Sequence, residues 1–339
     1  MPDEPSRDEA PIFAGAPLPS GAIAVRNPEP SHPGDPTEMT DKLWPNGAAC
    51  IDGRYMPIEQ ASIPILDLGY RRSDVTYDVV GVWGGAFFRL DDHIQRFRRS
   101  MRALRMEPPE SDDDIRKLLA ECVRRTGLRE AYVSMECLRG LPKPGLRRHP
   151  ANCRNYVAAF AVPWIWVFTP EVQERGAHLI VARTPRIAEE SVDPTVKNFH
   201  WGDFTRGLFE ALDQGADNCI LPDQHGFVTE GPGFNVFSVT NGAVATSDHG
   251  ALEGITRLSV QELCAELGIP YAIRKLPVAE LKAADEIFLA TTAGGIMPAS
   301  RIDGRIMGND RPGPISARLR ETFWAKRREG WHATPIDYD

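Results

Sequence analysis

From Gly47 onward, apolar and polar positions alternate with the short period of strands, and turn residues break the runs. Ala48 to Ile58 brackets Asp52-Gly53, and Val79 to Leu90 brackets Gly84-Gly85, so each reads as a hairpin. The period then lengthens, with Ile94, Phe97, Met101 and Leu104 at helical spacing. Ser111 caps a second helix that carries Asp112, Asp113 and Asp114 in its first turn. Ile115, Leu118, Leu119, Cys122 and Val123 form its apolar face, and Gly127 stops it. Two strands follow, Ala131 to Leu138 and Asn155 to Val162, around a loop rich in Pro, Gly and Arg. Residues 47–162 read as a small α+β domain.

Residues 163–170 read as a linker, buried through Trp164, Trp166 and Phe168. Residues 171–339 read as a larger, strand-rich domain. Its strands are Ala177 to Ala182, Cys219 to Leu221, Phe234 to Val239, Ala243 to Ala245 and Glu286 to Ala290, with another around Asp303-Gly304. Phe204, Leu208, Phe209 and Leu212 predict a helix packed under the preceding loop. A helix from Thr256 to Leu267 stops at Gly268, and a last one from Pro314 carries Ile315, Leu319 and Phe323 on one face. Residues 1–46 hold ten prolines and show neither periodicity. They read as a disordered tail, or, through Ile12, Phe13, Leu18, Ile23 and Val25, as a segment lying across a folded surface.

Composition narrows the function classes. A net charge of −8 with no basic stripe argues against nucleic acid as a partner. Six cysteines without a C-x-x-C read as reduced core residues, neither a disulfide scaffold nor a zinc site, and the histidines lack metal-ligand spacing. The most apolar run, Val157 to Phe168, is too short for a bilayer, and no secretory signal is visible. A cytoplasmic enzyme without a membrane partner is the expectation.

The chemistry gathers in S-V-D-P-T-V-K-N-F-H-W-G-D, Ser191 to Asp203. Pro185 and Pro194 make this a loop, and Lys197 sits in it among weakly polar residues. A desolvated lysine loses its proton and attacks an aldehyde; by itself the stretch also reads as a surface lysine near a turn. Three later stretches bear on the choice. V-T-E-G-P-G-F-N-V-F, from Val228, sets Glu230 at a Gly-Pro-Gly turn. L-E-G-I-T-R-L-S, from Leu252, opens a helix with glycine and threonine, which suits a phosphate. A-T-T-A-G-G-I-M-P, from Ala290, ends a strand in paired hydroxyls and paired glycines. A lysine for an aldehyde, a carboxylate for a pyridine nitrogen and cups for a phosphate match what pyridoxal 5′-phosphate needs.

In this order the stretches resemble the fold type IV pyridoxal-phosphate enzymes, a superfamily that includes D-amino acid and branched-chain aminotransferases, aminodeoxychorismate lyases and (R)-selective amine transaminases. S-D-V-T-Y-D-V at Ser73 and F-R-L-D-D-H-I-Q-R at Phe88, with D-P-T-V-K-N-F-H-W-G-D and T-T-A-G-G-I-M-P, bring the chain nearest to the last group. The resemblance spans roughly Gly47 to the C-terminus and implies a D-amino acid aminotransferase-like fold. Its smaller N-terminal α/β domain precedes a larger pseudo-barrel domain, and two chains form a homodimer. It implies transfer of an amino group from an (R)-configured primary amine to a keto acid such as pyruvate. The alternatives are a D-amino acid or branched-chain aminotransferase, a lyase on the same scaffold, or a binding protein that has kept the fold without catalysis.

By the same resemblance, Lys197 links covalently to the cofactor and moves the proton, and Glu230 pairs with the ring nitrogen. Arg96, Ile255, Thr256 and Thr292 hold the phosphate, and Leu252 lies against the ring. Tyr77, Val79, Trp201, Thr291 and Ala293 bound the substrate, with Arg72 on the preceding turn. Relatives carry a mobile arginine for the substrate carboxylate on the loop that here reads P-K-P-G-L-R-R-H-P. His149 stands at the expected position, Arg148 could replace it, and Gly140 and Gly145 would let the loop move. Pro232 stands where relatives carry a serine between the glycines.

Overall fold

The computed structural model describes residues 43–339. The alternatives for the N-terminal segment therefore fall mostly outside the described residues; of that segment only 43–46 are seen, and Trp44 is buried.

The chain opens with β1 (Ala48–Ile51) and β2 (Arg54–Pro57), then α1 (Leu68–Arg72), β3 (Val75–Trp83), β4 (Ala86–Phe88), α2 (Leu90–Ala103), α3 (Asp112–Thr126), β5 (Ala131–Leu138) and β6 (Tyr156–Pro163). The hairpin turns fall at the two glycine-containing pairs named from the sequence. The capping box at Ser111 closes through Asp114, and Gly127 ends α3 at φ 69°. Apolar side chains of α2 and α3 pack on one face of the sheet, around Phe97, Ile115, Leu119, Val133 and Met135. The opposite face of β3, β5 and β6 is left for the site.

The second part holds α4 (Pro170–Arg175), β7 (Ala177–Val181), α5 (Gly202–Asp213), β8 (Asn218–Ile220), β9 (Glu230–Gly231), β10 (Phe234–Thr240), β11 (Ala243–Thr246), α6 (Ile255–Leu267), β12 (Tyr271–Ile273), α7 (Val278–Ala283), β13 (Glu286–Thr291), β14 (Gly295–Ile302), β15 (Arg305–Ile306), α8 (Pro314–Arg328) and β16 (Ala333–Pro335). The first sheet runs β16-β4-β3-β5-β6-β1-β2, antiparallel throughout. The second runs β12-β11-β10-β13-β14-β7-β8, with β9 and β15 attached, and mixes parallel and antiparallel pairs.

Three sequence expectations change. The segment 171–339 does not stay with one sheet, because β16 returns to pair with β4. Trp164 and Trp166 are half-buried and cluster edge-on with Trp83. The third change concerns α5, whose Leu208, Phe209 and Leu212 lie on its exposed side at 36%, 62% and 69% exposure. Its buried side is Asp203, Phe204, Gly207 and Ala211. The reason is steric: a Cβ on Gly207 would lie 2.7 Å from Cys219 Sγ, so at that point only glycine lets the helix approach the sheet, with Phe204 and Ala211 buried beside it. Among the described residues no helix is long and apolar enough to cross a membrane.

Candidate active site

A cavity of about 410 Å³ opens between the site face of β3, the loop ahead of α5, the β9–β10 turn, the start of α6 and the β13–β14 turn. That size suits a small organic ligand.

Lys197 enters from its loop because the backbone there is tied to β3. Its carbonyl accepts from Tyr77 N at 3.1 Å and from Thr76 Oγ1 at 2.8 Å, and its N–H donates to Ser100 Oγ at 3.3 Å. Nζ lies 4.2 Å from the centre of the Tyr77 ring. The surface that Lys197 retains faces the cavity. Burial, with Arg96 adding to it, lowers its ammonium to about 8, against weaker opposing pulls from Asp78 and Glu230. A neutral fraction of about a tenth therefore exists at pH 7.

Arg96, at the buried edge of α2, is held rigidly. Nε and Nη2 donate to Asp78 at 2.7 and 2.8 Å, and Nη1 donates to the Glu253 carbonyl at 3.0 Å. His93 Nδ1 meets the same carboxylate at 2.7 Å. Burial would raise the Asp78 carboxyl, but Arg96 and His93 outweigh it and hold it well below the carboxylate range. Burial lowers His93 despite Asp78, which favours a neutral ring. A fork fixed in this way presents its remaining edge to the cavity.

Glu230 stands across the cavity. Its Oε2 accepts from Leu252 N at 2.9 Å and its Oε1 from Arg186 Nε at 3.3 Å. Arg186 Nη1 donates to Asp203 at 2.6 Å, and its guanidinium lies 4.1 Å from the Phe204 ring centre. Burial raises the Glu230 carboxyl, while Arg186, the Leu252 N–H and Lys197 pull it back.

The start of α6 has the features that suit a phosphate. Ile255 and Thr256 occupy its first turn, where backbone N–H groups have no partner within the helix. Asn235 Nδ2 donates to the Leu252 carbonyl at 2.8 Å and fixes the approach. A Cβ on Gly254 would stand 1.9 Å from Asn235 Oδ1, so only glycine fits. Thr291, Thr292 and Ala293 close the opposite rim. These groups fit a phosphorylated aldehyde with a basic ring nitrogen. Gly254→Ala is expected to break the Asn235 hydrogen bond and weaken binding of pyridoxal 5′-phosphate roughly tenfold, the usual cost of about one buried hydrogen bond. A fluorescence titration measures it; unchanged affinity would remove Gly254 from the cup.

The structure brings together Tyr77, Val79, Arg96, Lys197, Trp201, Glu230, Leu252, Ile255, Thr256, Thr291, Thr292 and Ala293 around this cavity. It does not bring Arg72, Arg148 or His149 there. Arg72 ends α1, and all three are exposed. His149 instead lines a separate cleft with Arg139 and Lys143. Gly140 is no hinge: its N–H donates to Asp67 and its carbonyl accepts from Leu68, and a Cβ there would meet the Arg154 carbonyl at 2.0 Å. Gly145 has open space around it. Sequence reasoning missed Asp78, Arg186, Asp203, Asn235, Tyr132 and Phe160. A charge inside the apolar run V-T-Y-D-V-V was a usable signal for Asp78.

Comparison with known proteins places this geometry. Residues 76–302 match the amino-transferase class IV family. A putative branched-chain-amino-acid aminotransferase of Methanocaldococcus jannaschii is 30% identical over 276 residues, 80% of this chain and 94% of that one. The D-alanine aminotransferase of Bacillus licheniformis is 28% identical, over 80% of this chain and 93% of its own length. The crystal structure of the branched-chain amino acid aminotransferase from Thermobaculum terrenum, in its holo form with pyridoxal 5′-phosphate, superimposes with a TM-score of 0.77 at 25% identity, covering 87% of this chain and 100% of that one. The chain belongs to the class IV aminotransferases, and its cofactor is pyridoxal 5′-phosphate.

Proposed function

We propose that this aminotransferase moves an amino group between a primary amine with apolar substituents and a keto acid such as pyruvate. The observation that carries this is the substrate side of the cavity. Tyr77, Val79, Tyr132, Phe160, Ile165 and Val167 line it, and the guanidiniums that reach the cavity, Arg96 and Arg186, are each committed to a carboxylate. A free fixed cation beside an apolar substituent would be costly.

Arg96, Ile255, Thr256 and Thr292 would hold the phosphate, Leu252 would lie on the ring, and Glu230 would face the ring nitrogen. Bound there, the cofactor supplies an aldehyde that captures amines and a cationic ring that withdraws electrons. Lys197 Nζ, its ammonium lowered by burial to about 8, would in its neutral form take the proton from the substrate carbon and deliver it to the carbon of the cofactor's former aldehyde. Glu230 holds a proton at the ring nitrogen. Tyr77 and Trp201 shield the reacting carbon from water.

The motifs at Ser73, Phe88 and Asp193 support an (R)-configured donor without a carboxylate. The names of the relatives favour the other reading, a branched-chain or D-amino acid donor. Pyruvate or 2-oxoglutarate with both enantiomers of an apolar amine, branched-chain L-amino acids and D-alanine separates them. Turnover confined to amino acids overturns the amine reading.

For the acceptor carboxylate we propose Arg148, ahead of His149 and then Arg72. The exposed Arg147-Arg148 pair and the open space at Gly145 support it; the loop has to move for either residue to meet a keto acid. Arg148→Ala is expected to raise the KM for pyruvate severalfold, the usual effect of removing a charge-assisted hydrogen bond, while sparing apolar-amine binding. His149→Ala is expected to do less. Steady-state kinetics varying each substrate checks this, and an unchanged pyruvate KM in both variants points to Arg72. We also propose a cytoplasmic homodimer with its domain boundary near 163–170. Free cysteines, the exposed apolar side chains of α5 and the two separate sheets support those readings.

A further inference from the structure

The site face of the first sheet continues past the cavity. Strand register sets Tyr77 opposite Glu136, Val79 opposite Ser134 and Gly81 opposite Tyr132. On the far side of β5, Ser134 pairs with Phe160 and Glu136 with Ala158. Directly paired residues share a face. Tyr77, Val79, Tyr132 and Phe160 line the cavity; Ser134 and Glu136 do not line it themselves, but the register sets them on the same face, with Glu136 beside Tyr77. Glu136 also reaches back: Ser134 Oγ donates to its Oε1 at 3.4 Å. Glu136 is therefore a neighbour of the cavity-lining Tyr77 on this face. Burial pushes the Glu136 carboxyl up to about 7, and the Ser134 hydroxyl pulls it back. Among the described residues no ion pair engages it. A half-buried acid of this kind is costly to keep, and nothing in the amine-transfer chemistry above uses it.

We infer that Glu136 is a specificity-determining residue, receiving a positively charged group at the far end of the donor's apolar substituent. The inference rests on the amine-donor reading above. A substituent leaving the carbon near Lys197 Nζ passes the Tyr77 ring, and Glu136 stands directly across the strand pair from Tyr77. A distal ammonium arriving there gives the carboxylate the partner it lacks. A distal carboxylate meets a like charge instead. The donor class implied is the diamines and other amines that end in an ammonium.

The test uses the holoenzyme with pyruvate. kcat/KM is measured for unbranched monoamines and α,ω-diamines matched in length, over a series of lengths, in the native chain, Glu136→Gln and Glu136→Leu. The native enzyme is expected to prefer the diamine at one chain length. That ratio should fall about tenfold in Glu136→Gln, the size of one charge-assisted hydrogen bond, and at least as far in Glu136→Leu. Melting curves and cofactor absorbance show that each variant is folded and loaded. A length optimum is not something a merely structural glutamate would create. Monoamine turnover with no diamine preference at any length, or a preference that survives in Glu136→Gln, overturns the inference and leaves the amine reading standing. If monoamines are not donors while branched-chain or D-amino acids are, the amine reading fails and the inference fails with it.

Discussion

Lys197→Ala is expected to fold, to bind pyridoxal 5′-phosphate reversibly through its phosphate, and to lose turnover by several orders of magnitude. The proposed phosphate cup consists of the start of α6, Asn235 and the β13–β14 turn, none of which depends on the lysine side chain. The hydrogen bonds that position residue 197 run from its backbone to Thr76, Tyr77 and Ser100, and alanine keeps them. What would disappear is the proposed nucleophile and proton carrier, and removing such a group costs the whole covalent route. Borohydride reduction followed by mass measurement should show cofactor mass on the native chain and none on the variant. Near-native turnover in the variant would remove Lys197 from the chemistry. The native chain adds a pH test. With its ammonium lowered to about 8, Lys197 is mostly protonated below that pH and mostly neutral above it. The rate of covalent capture of added cofactor by stripped enzyme should rise about tenfold per pH unit below that point and level off above it.

Glu230→Gln should bind the cofactor but react about a hundredfold more slowly or worse, the usual cost of losing one electrostatic contact to a charge that develops in the reaction. Glutamine keeps the shape and can still accept from Leu252 N, so the Leu252 segment stays in place. It cannot hold a proton at a ring nitrogen by charge. The neighbouring Arg186 does not rescue the loss, because it is a cation paired with Asp203 and would repel a protonated ring. Two readouts separate this from a folding defect: cofactor affinity, expected to change little, and the absorbance of the bound cofactor, expected to report a ring that loses its proton at lower pH. A rate within about twofold, far short of that loss, would mean that another group serves the nitrogen.

Much of this protein was legible in the chain itself. Ser111 and Gly127 mark both ends of α3, and Asp52-Gly53 and Gly84-Gly85 mark hairpins, because caps and tight turns depend on a few neighbouring residues. Lys197, Glu230 and the two glycine-and-threonine stretches were visible for the same reason: each is a local signature of a group that must be held close to backbone. Twelve residues named from those stretches and their flanking motifs surround one cavity.

Other features depend on which segments meet. The sequence offered Phe204, Leu208, Phe209 and Leu212 of α5 to the core, yet only Phe204 is buried; the sheet comes so near Gly207 that the helix turns its other three large residues outward. Arg186 and Asp203 look like surface charges in a loop and at a helix start until Glu230 is brought beside them. β16 pairs with β4 across the length of the chain, which no local pattern encodes. Glu136 lies in a mostly apolar strand, and only the register with the strands of Tyr77 and Phe160 sets it on the site face beside Tyr77. The sequence alone marked most of the longer elements, several of their ends and the candidate reactive groups, since those follow from backbone geometry and intrinsic chemistry. Tertiary structure alone decided burial, charge partners and which side chains share the site, since those are set by close packing between segments far apart in the chain.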